Sequence, residues 1–267
     1  MPASLGLDHV YLRVADLDVQ LGLFHEVLGL PLSWPVRAEP FARYAWVNAG
    51  NVQLELWQAQ SDDDLPRGTT LPCIAGLALW PQDVHESRDS LARAGIACKE
   101  PRTWSTAAGD GHLAANFTNC LVTGASSPAC QVFFCQWDSH APITPWPRGE
   151  SAADRRERLA AALAEAGGGT VGLTGLRAIH MESPDPADTA RVWMALTGEP
   201  DAAAPGVALQ LSNAAQTRIV ALVFGVRHLP HAETSLRSRG LETAREEGVL
   251  WIDPAAASGL RIGFVGA

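Results

Sequence analysis

Residues 6–18 read GLDHVYLRVADLD. The stretch alternates as a half-buried strand does. Val10, Leu12 and Val14 fall on one face; Leu7, His9, Tyr11 and Arg13 fall on the other. The first face is built for a core. The second offers an imidazole, a phenol and a guanidinium, groups that suit the wall of a pocket. Past Asp16, an N-cap type, Leu17, Leu21, Phe24 and Leu28 recur at helical spacing as far as Gly29. The chain therefore opens with a strand and an amphipathic helix.

The same unit returns three times. GLALWPQDVHESRDSLARAGI (76–96), GLRAIHMESPDPADTARVWMALTG (175–198) and ALVFGVRHLPHAETSLRSRGL (221–241) each run from strand to helix, with Gly95, Gly198 and Gly240 at the helix ends. Further strands follow. The first unit has RYAWVN (43–48) and NVQLELWQ (51–58), joined at Ala49-Gly50-Asn51; the second has HLAANFTN, CLVTG and CQVFFCQW. The fourth has GVLWID and LRIGFVG, whereas the third shows only VALQL (207–211), so one or two of its strands are expected to be missing. Between the second and third units a proline-rich stretch leads into a helix over Ser151–Ala166 and then Gly167–Gly169. The expected division is residues 1–137, a linker with one helix at 138–172, and a reduced second domain at 173–267. The helix is read as a spacer or brace without chemistry.

Composition narrows the function. A chain of 267 residues that is 47% hydrophobic can bury a sizeable core, and a net charge of −9 with one lysine, Lys99, argues against nucleic acid or an anionic membrane as partner. No apolar run approaches a membrane span, and MPASLGLDHVYLRV has no signal-peptide pattern, so a cytoplasmic protein is expected. Cys73, Cys98, Cys120, Cys130 and Cys135 lack C-x-x-C spacing and read as reduced, small hydrophobes. No phosphate-binding loop, dinucleotide fingerprint or nucleophile elbow occurs. What remains is a small-molecule ligand, taken by a monomer or homodimer.

LDHVYLRVADLD with FHEVLGLPL (24–32), and GNVQLELWQ (50–58), carried on duplicated and paired β-α-β-β-β units, resemble the vicinal oxygen chelate superfamily: glyoxalases, extradiol dioxygenases, and fosfomycin- and bleomycin-resistance proteins. The resemblance implies an α+β fold of tandem paired units, their mixed sheets curled into cups with helices outside. It also implies a divalent metal in a cup, held by His and Glu or Gln from the first and last strands of each unit. Carried over, the first-strand histidine is His9 and the last-strand carboxylate Glu55, with zinc, iron, manganese or nickel as the metal. The second unit has Gly76 and Phe133 at those positions. The third has Ala178 and Gln210, with His180 and Glu182 nearby, and the fourth has Ala221 and Gly263. Only the first unit keeps a full pair, and His112 is a candidate third ligand.

Two readings stay open. In one, His9 and Glu55 hold a Lewis-acidic metal for lyase, isomerase or dioxygenase chemistry, with Glu55 also a candidate catalytic base. In the other, no metal binds, and His9 and Glu55 line the pocket of a drug-sequestering or other small-molecule-binding protein. In both, Tyr11, Arg13, Trp57 and Trp80 are the expected substrate-binding residues. Arg13 suits an anionic group and the aromatics suit an apolar wall.

Overall fold

The computed structural model describes residues 2–66, 68–107 and 112–267. Each of the four units builds a short sheet behind one helix. The first comprises β1 (Gly6–Arg13), α1 (Leu17–Leu21, continued by a π-helical stretch Gly22–Val27), β2 (Leu32–Glu39), β3 (Ala42–Asn48) and β4 (Gln53–Ala59). The second comprises β5 (Cys73–Trp80), α2 (Val84–Arg93), β6 (Arg102–Ala107), β7 (Leu113–Leu121) and β8 (Gln131–Trp137). After α3 (Ala152–Glu165) the third unit has β9 (Leu173–Ser183), α4 (Pro186–Thr197), β10 (Ala202–Ala204) and β11 (Val207–Asn213). The fourth has β12 (Arg218–Val226), α5 (Leu229–Ser238), β13 (Thr243–Glu246), β14 (Val249–Ile252) and β15 (Ile262–Gly266). The third unit thus lacks one strand of the pattern.

Local chemistry sets the helix starts. Asp16, Asp83, Asp185 and His228 each accept a backbone N–H with the side chain, at α1, α2, α4 and α5 respectively. Ser151 does the same for α3. In every complete unit the first strand runs parallel to the last: β1 with β4, β5 with β8, and β12 with β15. Units pair through their first strands, antiparallel, as β1 with β5 and β9 with β12. The two pairs meet at a single ladder position, Ile219 of β12 beside Ile74 of β5, which joins all fifteen strands into one sheet. The helices lie on its apolar back, where Leu17, Phe24, Leu91, Trp193, Leu196 and Leu236 pack with Val10, Leu12, Ile179 and Phe224. Burying each large side chain of this kind is worth roughly 1.5–3 kcal/mol.

One strand departs from simple alternation. The β1–β5 ladder is irregular between Leu7 and His9, and Leu7 lies in the core with Val10 and Leu12. Leu7 is therefore not on the His9 face. The extra residue, Asp8, is turned to meet the His9 ring instead. The five cysteines are free.

The second pair of units closes on itself. Trp251 of β14 packs with Ala178, Ala221 and Val223. A Cβ on Gly263 would come within 2.7 Å of that indole. His180 meets the ring edge-on, with centroids 5.7 Å apart, and Glu182 is ion-paired with Arg218. Gln210 of β11 is the register partner of His180, and neither His180 nor Glu182 belongs to a group of three His, Cys, Asp or Glu side chains among the described residues.

Gly76 shows how tightly the first pair is built: a Cβ there would lie 2.1 Å from the Gln131 carbonyl oxygen of β8. Gly76→Ala is expected to cost about 1–3 kcal/mol, as overpacking does. Thermal unfolding followed by circular dichroism should then show a midpoint several degrees lower; an unchanged midpoint would refute this close approach.

Candidate functional site

The front of the first pair of units holds a cavity of about 400 Å³. Its wall carries Trp34, Phe41, Tyr44, Trp46, Trp57, Trp104, Phe117, Phe133 and Trp137, nine aromatic side chains, together with His9, Glu55, Arg37, Glu39, Asn116 and Asn119. The tryptophans form a cluster of their own. Trp34 and Trp46 centroids are 5.4 Å apart, and Trp137 and Trp146 are 5.0 Å apart. The His9 ring lies 4.5 Å from Trp46 and 5.7 Å from Phe133.

Through this aromatic shell runs a line of alternating charges. Arg155 Nη2 donates to Asp8 Oδ1 at 2.6 Å, and Asp8 Oδ2 accepts from His9 Nδ1 and Trp137 Nε1, both at 2.9 Å. His9 Nε2 faces Glu55 Oε2 at 3.3 Å. Arg155, Asp8 and His9 are buried, while Glu55 keeps 18% of its side chain exposed. Burial alone would lower the His9 pKa, but the hydrogen bonds and charges of Asp8 and Glu55 outweigh it and hold the imidazole at about 9. Burial likewise works to raise Asp8, but Arg155, His9 and Trp137 keep it at about 2. The imidazolium therefore stands between two carboxylates, and Arg155, stacked 4.2 Å over Trp146, closes the line.

His9, Glu55 and Trp57 reach this cavity, and Tyr11, Arg13 and Trp80 do not line it. Tyr11 sits behind Trp57, with centroids 6.0 Å apart. Arg13 lines a different cavity at the junction of the two halves. Trp80 lines a third, beyond Trp137 and Trp146, under the Arg156 guanidinium. Tyr11 and Arg13 lie farther along β1 than His9, and Trp80 lies at the end of β5 that pairs with Gly6. His112 is exposed, outside the lining. Strand parity alone missed Asp8, and the linker helix gave no sign of Arg155. A helix was expected over Ser151–Ala166, but nothing marked what it touches.

Among the described residues, no three His, Cys, Asp or Glu side chains gather as a metal requires. The two donors that meet are bound to each other, and His9 Nδ1 is engaged by Asp8. The positions from which the second unit would complete the set are Gly76, filled by the Gln131 carbonyl, and Phe133, packed on His9. This donor set does not fit a metal.

Residues 6–111 match the family model of the Glyoxalase/Bleomycin resistance protein/Dioxygenase superfamily. Solved structures resemble the whole chain. A mutant of 4-hydroxymandelate synthase from Streptomyces coelicolor is 16% identical with a TM-score of 0.64, the likeness covering 100% of this chain and 93% of that one. The Mn(II)-bound glyoxalase from Novosphingobium aromaticivorans is 13% identical with a TM-score of 0.60, covering 100% and 83%. Homoprotocatechuate 2,3-dioxygenase from Arthrobacter globiformis is 14% identical with a TM-score of 0.59, covering 100% and 80%. No curated protein sequence matches. Residues 6–111 thus carry the superfamily's sequence pattern, and the whole chain shares the fold of these solved structures. No helix among the described residues is long and apolar enough to cross a membrane.

The charge line has a pH signature. His9 binds its proton more tightly folded, at about 9 against 6.5, so its contribution is complete below pH 6.5 and is lost as pH rises through about 9. Asp8, at about 2 against 3.8, contributes above pH 3.8 and is lost as pH falls through about 2. In an NMR titration the His9 ring protons should move with a midpoint well above 6.5, and Asp8→Asn should bring that midpoint down. A wild-type midpoint at or below 6.5 would contradict the imidazolium.

Proposed function

We propose that this chain is a metal-independent small-molecule-binding member of its superfamily, and that it takes a flat, mainly apolar ligand with a hydrogen-bond donor into the aromatic cup. The observation that carries this is the wall itself, nine aromatic side chains around one partly exposed carboxylate. A cavity of about 400 Å³ suits a ligand of one to three fused rings, which such walls hold by stacking and edge contacts. His9 clamps one oxygen of Glu55 and so keeps the carboxylate fixed. The other oxygen is then available to accept from the ligand. Asp8 and Arg155 hold the imidazolium from behind. Around the cup, Trp34 Nε1, Trp46 Nε1, Asn116 Oδ1 and Asn119 Oδ1 are buried without a hydrogen-bond partner.

A second reading follows the resemblance: His9 and Glu55 hold a divalent metal for a lyase, isomerase or dioxygenase reaction, with Glu55 as base. The convergence of the two side chains favours it, as does the Mn(II) bound by the Novosphingobium glyoxalase of similar fold. Metal analysis separates the two. The purified chain, incubated with zinc, iron, manganese or nickel and then desalted, is expected to retain less than stoichiometric metal. Stoichiometric retention in wild type, lost in His9→Ala and Glu55→Ala, would replace the binding reading with the catalytic one.

The binding reading also makes a direct prediction. Titration with proflavine, a flat aromatic amine, should quench the tryptophan emission saturably. Trp46→Ala should weaken that binding by about tenfold, the loss of one stacking wall. Proflavine affinity equal in wild type and Trp46→Ala would place the dye outside the cup.

A further inference from the structure

A cavity of about 380 Å³ opens where the two pairs of units meet. There β12 and β5 share only the Ile219–Ile74 position, and the strands part beside it. Arg13 at the end of β1, Arg218 at the start of β12 and Arg261 just before β15 all line this space, with Thr69, Thr70 and Gln216. No Asp or Glu among the described residues lines it. On a chain of net charge −9 this is a local reversal of sign.

The three arginines differ in their surroundings. Arg218 and Arg261 are about half exposed, and each pairs with an acid outside the cavity: Arg218 Nε with Glu182 at 2.5 Å and Arg261 Nη2 with Glu246 at 2.7 Å. Each keeps further N–H donors. Arg13 is 7% exposed. Its Nε donates to the Tyr11 hydroxyl at 3.2 Å, and its guanidinium lies 5.3 Å from that ring. No ion pair joins it to a carboxylate among the described residues. Tyr11 is no counter-charge, since burial pushes its hydroxyl well above the ordinary range. A buried guanidinium is costly without an anion, none pairs with it among the described residues, and in a cavity lined by two more arginines the partner is most simply a ligand.

We propose that this junction is an anion site for a small molecule bearing at least two oxyanion groups, carboxylate or phosphate. Arg13 takes the inner group through its planar fork, and Arg218 and Arg261 take the outer group at the mouth. Thr69, Thr70 and Gln216 supply neutral donors. The site is separate from the aromatic cup and stands whether or not the cup reading holds.

Isothermal titration of the full chain with inorganic phosphate and with citrate, each against sodium chloride of matched ionic strength, tests it. The expected result is one saturable site per chain for at least one of the two anions. Phosphate alone would identify a phosphorylated ligand and citrate alone a polycarboxylate. Arg218→Gln and Arg261→Gln, whose side chains are about half exposed, should each weaken that binding by about tenfold, the worth of one charged hydrogen bond. Arg13→Gln should abolish it, with circular dichroism confirming the fold. Heats that follow ionic strength alone would overturn the proposal. So would Arg218→Gln and Arg261→Gln variants that both bind as wild type does.

Discussion

An imidazolium buried among tryptophans is the constraint on which the first pair of units depends. Neither His9 nor Asp8 could stay charged there alone, because burial opposes both. They hold each other, and the line ends on Glu55 at the cavity side and on Arg155 at the other. Its members come from β1, β4 and α3, with Trp137 of β8 donating to Asp8. Four elements far apart in sequence are therefore fixed by one electrostatic chain. The segment between the two halves belongs to the site: α3 brings Arg155, and the approach to it brings Trp146.

Much of this was legible in the sequence, and each gap has a physical origin. The parity of β1 and β4 brought His9 and Glu55 to one face, and the structure places them 3.3 Å apart. Asp8 was invisible because simple alternation assigns it to the core face. Only the irregularity of the β1–β5 ladder frees it, and a ladder irregularity depends on the partner strand. The unforeseen strands, β2, β6, β10 and β13, all sit at sheet edges, each hydrogen-bonded to one neighbour. An edge strand needs no two-sided burial and can lack alternation, and β10, three buried alanines, is too short to show a period. β6 and most of β13 are exposed throughout, and β2 contains Pro35, which reads as an interruption. Arg155 was missed for the opposite reason: its helix was easily read, but the contact it makes spans 147 residues.

The two pairs of units share a frame and differ in what fills its front. At the first-strand and last-strand positions the first pair has His9, Glu55, Gly76 and Phe133; the second has Ala178, Gln210, Ala221 and Gly263. In the second pair the small residues match one large one. Trp251 occupies the concave face, and Ala178, Ala221 and Gly263 leave it room. In the first pair the tryptophans stand around the hollow, and the charge line stiffens its floor. Filling one cup with an indole stabilises that half without a ligand. Lining the other with indoles leaves a cavity whose aromatic faces have room for a packing partner. The division of labour between the halves is written in side-chain volume at these few positions, on backbones that otherwise repeat the same unit.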